Sequence, residues 1–151
     1  MIKNIFLGLM MVLVTVVTSC DSDDDIPVNG STNIQEITNT AQSGNWRVSS
    51  FVDSGKDETN NFIGYIFDFA DNGKLTATKG SIMVNGTWSV TKDSSSNSSN
   101  DLDFNIGFSS PPDFEELTED WEVVSFSNSK IDLIHISGGN GGTDKLTFEK
   151  N

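Results

Sequence analysis

The sequence carries one histidine and one cysteine, so nucleophilic or metal chemistry would have to be built on those two positions and on the carboxylates. His135 lies in Ile131-Asp132-Leu133-Ile134-His135-Ile136. Read as a strand, this segment puts His135 on one face with Ile131 and Leu133. A histidine that activates a nucleophile needs that nucleophile and an orienting carboxylate, and the surrounding sequence signals neither. A structural or rim position is expected. No His-Glu-x-x-His or cysteine-rich spacing occurs, so no zinc site is expected. Asp113, Glu115, Glu116, Glu119, Asp120 and Glu122 form a dense acidic run. Paired carboxylates can hydrolyse glycosides, but a run of this kind reads as a solvated connection. Asp68 to Gly73 is superficially like a calcium loop, yet aligning Gly73 with the loop glycine puts Ala70 and Lys79 where ligands belong. Gly138-Gly139-Asn140-Gly141-Gly142 falls between two strands, which makes it a hairpin loop and not a phosphate cradle. The chain is therefore expected not to be an enzyme, with no catalytic residue, no metal and no cofactor.

The remaining reactive group, Cys20, sits at the end of a distinctive segment. Lys3 supplies a short positive region, and Ile5 to Val17 is a 13-residue apolar segment, the size of a signal-peptide core. It is too short for a spanning helix, which takes about 20 apolar residues. Val17-Thr18-Ser19-Cys20 resembles the lipobox of bacterial lipoproteins. That resemblance implies a signal peptide over residues 1–19, lipid attachment at Cys20, cleavage just before it and acylation of the new amine, with palmitate among the usual acyl chains. The alternatives are a buried signal anchor and an ordinary secretory signal in which the cysteine is incidental. One acyl chain holds a protein only marginally on a membrane, whereas several hold it stably. Asp23, Asp24 and Asp25 follow closely. An acidic cluster here is similar to a signal that sends lipoproteins of some Gram-negative bacteria to the cell exterior, so the expected location is the outer membrane, facing outward. The same residues also read as a solvated spacer.

Removing residues 1–19 leaves 132 residues with 22 acidic and eight basic side chains, a formal charge of −14. That length suits one domain. The charge argues against nucleic acid and anionic membrane surfaces, which need a basic footprint. A single cysteine allows no intramolecular disulfide, so the core must suffice alone. The expected state is a monomer.

The elements that would position these groups follow from periodicity. Residues 20–33 read as an acidic tether rich in Ser, Asp, Asn and Gly. Asn33 and Glu36 have capping-box spacing; Ile34, Ile37 and Ala41 recur on one helical face; Gly44 suits a helix stop. One short helix is predicted from Ile34 to Gln42. From there the period is two, with strands predicted at 46–53, 62–70, 74–79, 81–84, 87–92, 101–108, 121–126, 130–137 and 145–150. Asn72-Gly73 and Asn85-Gly86 are read as type I′ hairpin turns, and Ser127-Asn128-Ser129 as another tight turn. Residues 93–100 read as a polar loop, and Pro111 to Asp120 as a longer connection with one acidic helical turn. Alternation in 101–108 puts Leu102, Phe104, Ile106 and Phe108 on one face, the pattern of an antiparallel sheet covering a single core. Trp46-x-Val48, Trp88-x-Val90 and Trp121-x-Val123 each open a strand with both large residues on one side. The fold class is all-β: an antiparallel, eight- to nine-stranded up-and-down meander, closed or nearly closed as a barrel.

A short helix followed by Gly44-Asn45-Trp46 and a meander resembles the lipocalin-like domains of bacterial lipoproteins, over residues 34–151. The resemblance implies that Trp46 plugs one end of the barrel and that the interior takes a small apolar or amphipathic ligand. Trp46, Phe67, Phe69, Trp88, Phe104, Phe108, Trp121 and Phe148 would then line it. An eight-stranded barrel is either filled by side chains or just wide enough for one small ligand. Two functions stay open: a lipid-anchored, non-enzymatic binding module for such a ligand, or a filled barrel acting through its surface as a cell-envelope interaction protein.

Overall fold

A computed structural model describes residues 26–27, 34–92, 102–137 and 142–151; the lipobox, Asp23 to Asp25, the loop at 93–100 and most of the glycine-rich loop lie outside them. The elements are β1 (Ile26–Pro27), α1 (Ile34–Gln42), β2 (Asn45–Asp53), β3 (Lys56–Asp57), a 3-10 turn (Thr59–Phe62), β4 (Ile66–Phe69), β5 (Lys74–Lys79), β6 (Ile82–Lys92), β7 (Leu102–Phe108), α2 (Pro112–Glu115), β8 (Glu119–Phe126), β9 (Lys130–Ile136) and β10 (Thr143–Lys150). Strands β2, β4, β5, β6, β7, β8, β9 and β10 pair antiparallel, each with its successor in the chain, and β10 returns to β2. The result is a closed up-and-down barrel of eight strands, as the alternation predicts. Closure removes the open edges that a flat sheet of this size would expose.

Two seams are incompletely laddered, and each is filled by an extra piece. β2 pairs with β4 only at Asn45 and Trp46. Further along, β2 turns to β3, and Phe51 exchanges hydrogen bonds with Thr59 Oγ1 and the Glu58 amide. β8 pairs with β7 through Glu119–Glu122; beyond that, Ser125 and Phe126 pair with Pro27 and Ile26. Part of the predicted tether therefore adds to the sheet.

Trp46, fully buried, stands under α1 and donates its indole N–H to Ala41 O at 2.8 Å, satisfying a carbonyl at the end of the helix. Ile37 and Ala41 face inward. Lys150 lies over the Trp46 ring, its Nζ 5.7 Å from the centroid, and bonds Ser43 Oγ at 2.9 Å. Gly44 has no positive φ, so it is not the left-handed stop the sequence suggests. A Cβ there would lie 2.8 Å from Lys150 Cε; what the position accommodates is the lysine crossing to the tryptophan. The other two motif tryptophans behave alike: Trp88 Nε1 donates to Ala70 O at 2.9 Å and Trp121 Nε1 to Leu117 O at 3.0 Å. Each buries its ring while satisfying its one donor.

Several turns differ from expectation. Asn72-Gly73 does end a hairpin, but only Gly73 has positive φ. The Gly73 amide donates to Ala70 O, and the Ala70 amide to Lys74 O. That is a type I turn closed by a left-handed glycine and not type I′, which needs positive φ twice. Asn85-Gly86 is no turn: β6 runs straight through it. The turn lies earlier, at Gly80-Ser81 between the Lys79–Ile82 pair, with positive φ at Gly80 only, as a type II′ turn requires. The predicted strand at 62–70 begins as the 3-10 turn, and Gly64 at φ 83° breaks it.

Candidate functional site

The end of the barrel opposite α1 gathers the residues that chemistry could use. It is bounded by the ends of β2 and β9 and the starts of β4, β8 and β10, with α2 and the 3-10 turn crossing it. α2 begins with Pro112, where a missing N–H costs nothing, and drives Phe114 into the barrel. Phe62 does the same from the 3-10 turn. Both are buried, and their rings meet edge-on at 5.3 Å. Phe114 also touches Tyr65 at 5.0 Å, Phe108 at 5.1 Å and Phe67 at 6.1 Å.

Below this pair the aromatic contacts continue without a break. Phe67 meets Phe148, Phe148 meets Phe69, and Phe69 meets Phe104, each at 5.4 Å between centroids. Phe69 also contacts Trp88 at 5.2 Å, and Trp88 stacks on Phe104. Phe51 joins Phe62 to Trp121. All eight residues proposed as cavity or core lining are buried; Phe67, Phe69, Trp88, Phe104 and Phe148 pack their rings on one another, whereas Phe108 meets Phe114 and Trp121 meets Phe51. Phe51, Phe62 and Phe114 complete the set. The sequence conceals Phe114 inside an acidic run, and only its isolation as a large apolar residue one helical turn after Pro111 marks it.

The rim around this plug is charged. His135 faces inward, as its alternation with Ile131 and Leu133 predicts, and lies 6.1 Å from the Trp121 ring. Its Nδ1 is 3.4 Å from Asp144 Oδ2. Asp144, itself buried, accepts the Ser54 amide on Oδ1 at 2.7 Å. On the other side, His135 Nε2 is 3.5 Å from Glu119 Oε2 and 3.9 Å from Asp120 Oδ1. Of the acidic run, the structure thus brings Glu119 and Asp120 to the histidine. Asp144 joins from β10, directly opposite His135 in the ladder. Sequence spacing could not show this, because the ligand-type atoms come from three strands.

A second group of carboxylates stands nearby. Burial first, then the negative charges of Glu58, Asp53 and Asp113, push the Glu116 carboxyl up, against the pull of Lys56. Lys56 pairs with Glu58, and that hydrogen bond holds its ammonium above the usual lysine range. The mouth is therefore an acidic ring around an aromatic plug. Among the described residues no helix is long and apolar enough to cross a membrane.

The sequence matches no family model and no curated protein. Among solved structures the chain is similar to a DUF4847 family protein from Bacteroides vulgatus ATCC 8482. The two share 18% identity over 79% of this chain and 98% of that one, with a TM-score of 0.49.

Proposed function

We propose that this chain is a lipid-anchored envelope protein whose barrel is a filled scaffold that acts through its surface. The observation that carries the reading is the aromatic plug. Phe62 and Phe114 block the mouth, and the ring contacts from Phe67 to Phe104 occupy the volume a small apolar ligand would need. Protein interiors packed in this way leave few voids larger than a water molecule.

The anchor belongs to the reading through Val17-Thr18-Ser19-Cys20, and Asp23 to Asp25 support an outward-facing position on the outer membrane. Ile26–Pro27 pairs at Ser125 and Phe126, the end of β8 remote from Glu119. From Cys20 to Ile26 the chain spans at most about 20 Å when fully extended. An anchor there would leave the acidic rim directed away from the membrane, available to a cationic partner surface or a cation.

Titration with fatty acids and other apolar probes, followed by tryptophan fluorescence, tests the filled interior. No saturable quenching is expected across a varied panel. Saturable quenching at one site per chain would overturn the reading in favour of a small-ligand carrier, because Trp88 and Trp121 both face the interior.

A further inference from the structure

We propose that His135, Glu119 and Asp120 bind one divalent transition-metal ion, of which Zn²⁺ is the chemical type, with Asp144 orienting the imidazole. Both ring nitrogens point at carboxylate oxygens: Nδ1 at Asp144, and Nε2 at Glu119 and Asp120. A neutral imidazole has a single N–H. If Asp144 takes it, the Nε2 lone pair is directed at two anionic oxygens, and the arrangement calls for a cation between them.

The spacing on the Nε2 side fits a metal ion. Nε2 stands 3.5 Å from Glu119 and 3.9 Å from Asp120, beyond the 2.7–3.2 Å of a good N–H···O bond. Two ligands each about 2.0–2.1 Å from a tetrahedral zinc are roughly 3.4 Å apart, close to the spacing seen. The three candidate ligand atoms all lie within 4.8 Å of one another. The Glu119 and Asp120 side chains are partly solvent-exposed, whereas His135 is held by Trp121 beneath and Asp144 beside it.

Asp144 supplies the support that such a site needs. A metal-bound histidine almost always gives its other N–H to a carboxylate or carbonyl, which fixes the tautomer and aims the ligating nitrogen. Here that carboxylate is buried and itself fixed by the Ser54 amide. One imidazole with two carboxylates suits zinc and its neighbours better than Ca²⁺ or Mg²⁺, which prefer oxygen alone. Three protein ligands leave a fourth position for water or for a group from a partner.

Calorimetric titration of the full chain in detergent with ZnCl₂, and in parallel with CaCl₂, tests the site. One Zn²⁺ per chain is expected, with Ca²⁺ much weaker, and affinity should fall as pH drops because protons compete for Nε2. His135→Gln should weaken binding at least tenfold, and Asp144→Asn by about 10- to 100-fold, the range for a lost supporting partner. Zn²⁺ should raise the melting temperature of the parent chain and not that of His135→Gln. Three results would each overturn the proposal: no saturable Zn²⁺ binding at millimolar ion, Ca²⁺ binding as tight as Zn²⁺, or undiminished binding by His135→Gln. Should His135→Gln fail to fold, Glu119→Gln at its exposed position decides, and full affinity there overturns the site.

Discussion

Phe114 stacks on Phe67 with ring planes 27° apart and centroids 6.1 Å apart, although one rides on a four-residue helix in a connection and the other on a barrel strand. This contact seats the connection over the mouth of the barrel. The chain between β7 and β8 carries carboxylates on its outer side, and its apolar residues, Phe114 and Leu117, are both buried. The connection is thus part of the core, with a solvated face.

Phe114→Ala should therefore cost about 3–5 kcal/mol of stability, as for other buried aromatic truncations. It should also expose a cleft lined by Phe67, Phe108 and Tyr65. Denaturant unfolding checks the first effect. Binding of an apolar dye by the variant, with none by the parent chain, checks the second.

The same contact marks where sequence reasoning stops. Alternation located the long strands, although it cut β6 in two at Asn85-Gly86, and it put Phe67, Phe69, Phe104, Phe108 and Phe148 on inward faces, because a one-sided sheet must repeat every two residues. The helix was legible to the residue, since Ile37 and Ala41 share a face one turn apart. Phe114 and Phe62 were not legible as core, because connections have no period and a single Phe among carboxylates carries no pattern. Likewise His135 could be assigned its face. Its partners Glu119, Asp120 and Asp144 come together only through the β8–β9–β10 register, which no local spacing encodes. Asn85-Gly86 misled for a different reason: its glycine answers a packing need and not a turn.

That need gives a second prediction. A Cβ on Gly86 would lie 2.5 Å from Gly107 O and 2.6 Å from the Phe108 ring, and the strand at Gly107 is backbone that cannot step aside. Gly86→Ala should destabilise by about 1–3 kcal/mol, as overpacking does. Gly55, unlike Gly86, has positive φ, and nothing lies within 4 Å of an added Cβ there. Gly55→Ala should show only the smaller backbone penalty, near 1 kcal/mol. Urea midpoints of the two variants should rank in that order.

Trp46→Phe removes the indole donor and keeps most of the ring. Ala41 O, buried at the end of α1, then loses its partner, and Lys150 loses the larger face it covers. A loss of about 1–3 kcal/mol is expected, the cost of stranding a buried polar group. Because the helix packs on this tryptophan, amide exchange in α1 should accelerate more than exchange in β9.

Cys20→Ser tests the anchor. The parent chain should partition with outer membranes and incorporate labelled palmitate, and the variant should do neither. In the parent background, replacing Asp23, Asp24 and Asp25 by alanine should protect the domain from protease added to intact cells. Equal cleavage of both versions would reduce the cluster to a spacer.

Stability should also depend on pH through Asp132. Burial raises its carboxyl, but hydrogen bonds from Lys130, Thr147 and Ser125 outweigh that and hold it below the usual range. Lys130 Nζ stands 2.8 Å from Oδ2, Thr147 Oγ1 2.9 Å from Oδ1, and Ser125 Oγ 3.0 Å from Oδ2. These bonds tie β9 to β8 and β10 on the outside of the barrel. A carboxyl depressed in the folded state stabilises the fold fully above its unfolded pKa, near 3.9. That contribution disappears as pH falls through the lower folded value. Asp132→Asn should therefore be less stable than the parent chain at neutral pH, and the gap should narrow as acid protonates the parent's Asp132. Urea unfolding of both chains from pH 7 down to pH 3 measures it, and a gap constant across that window would show that Asp132 contributes no ionised-state stability.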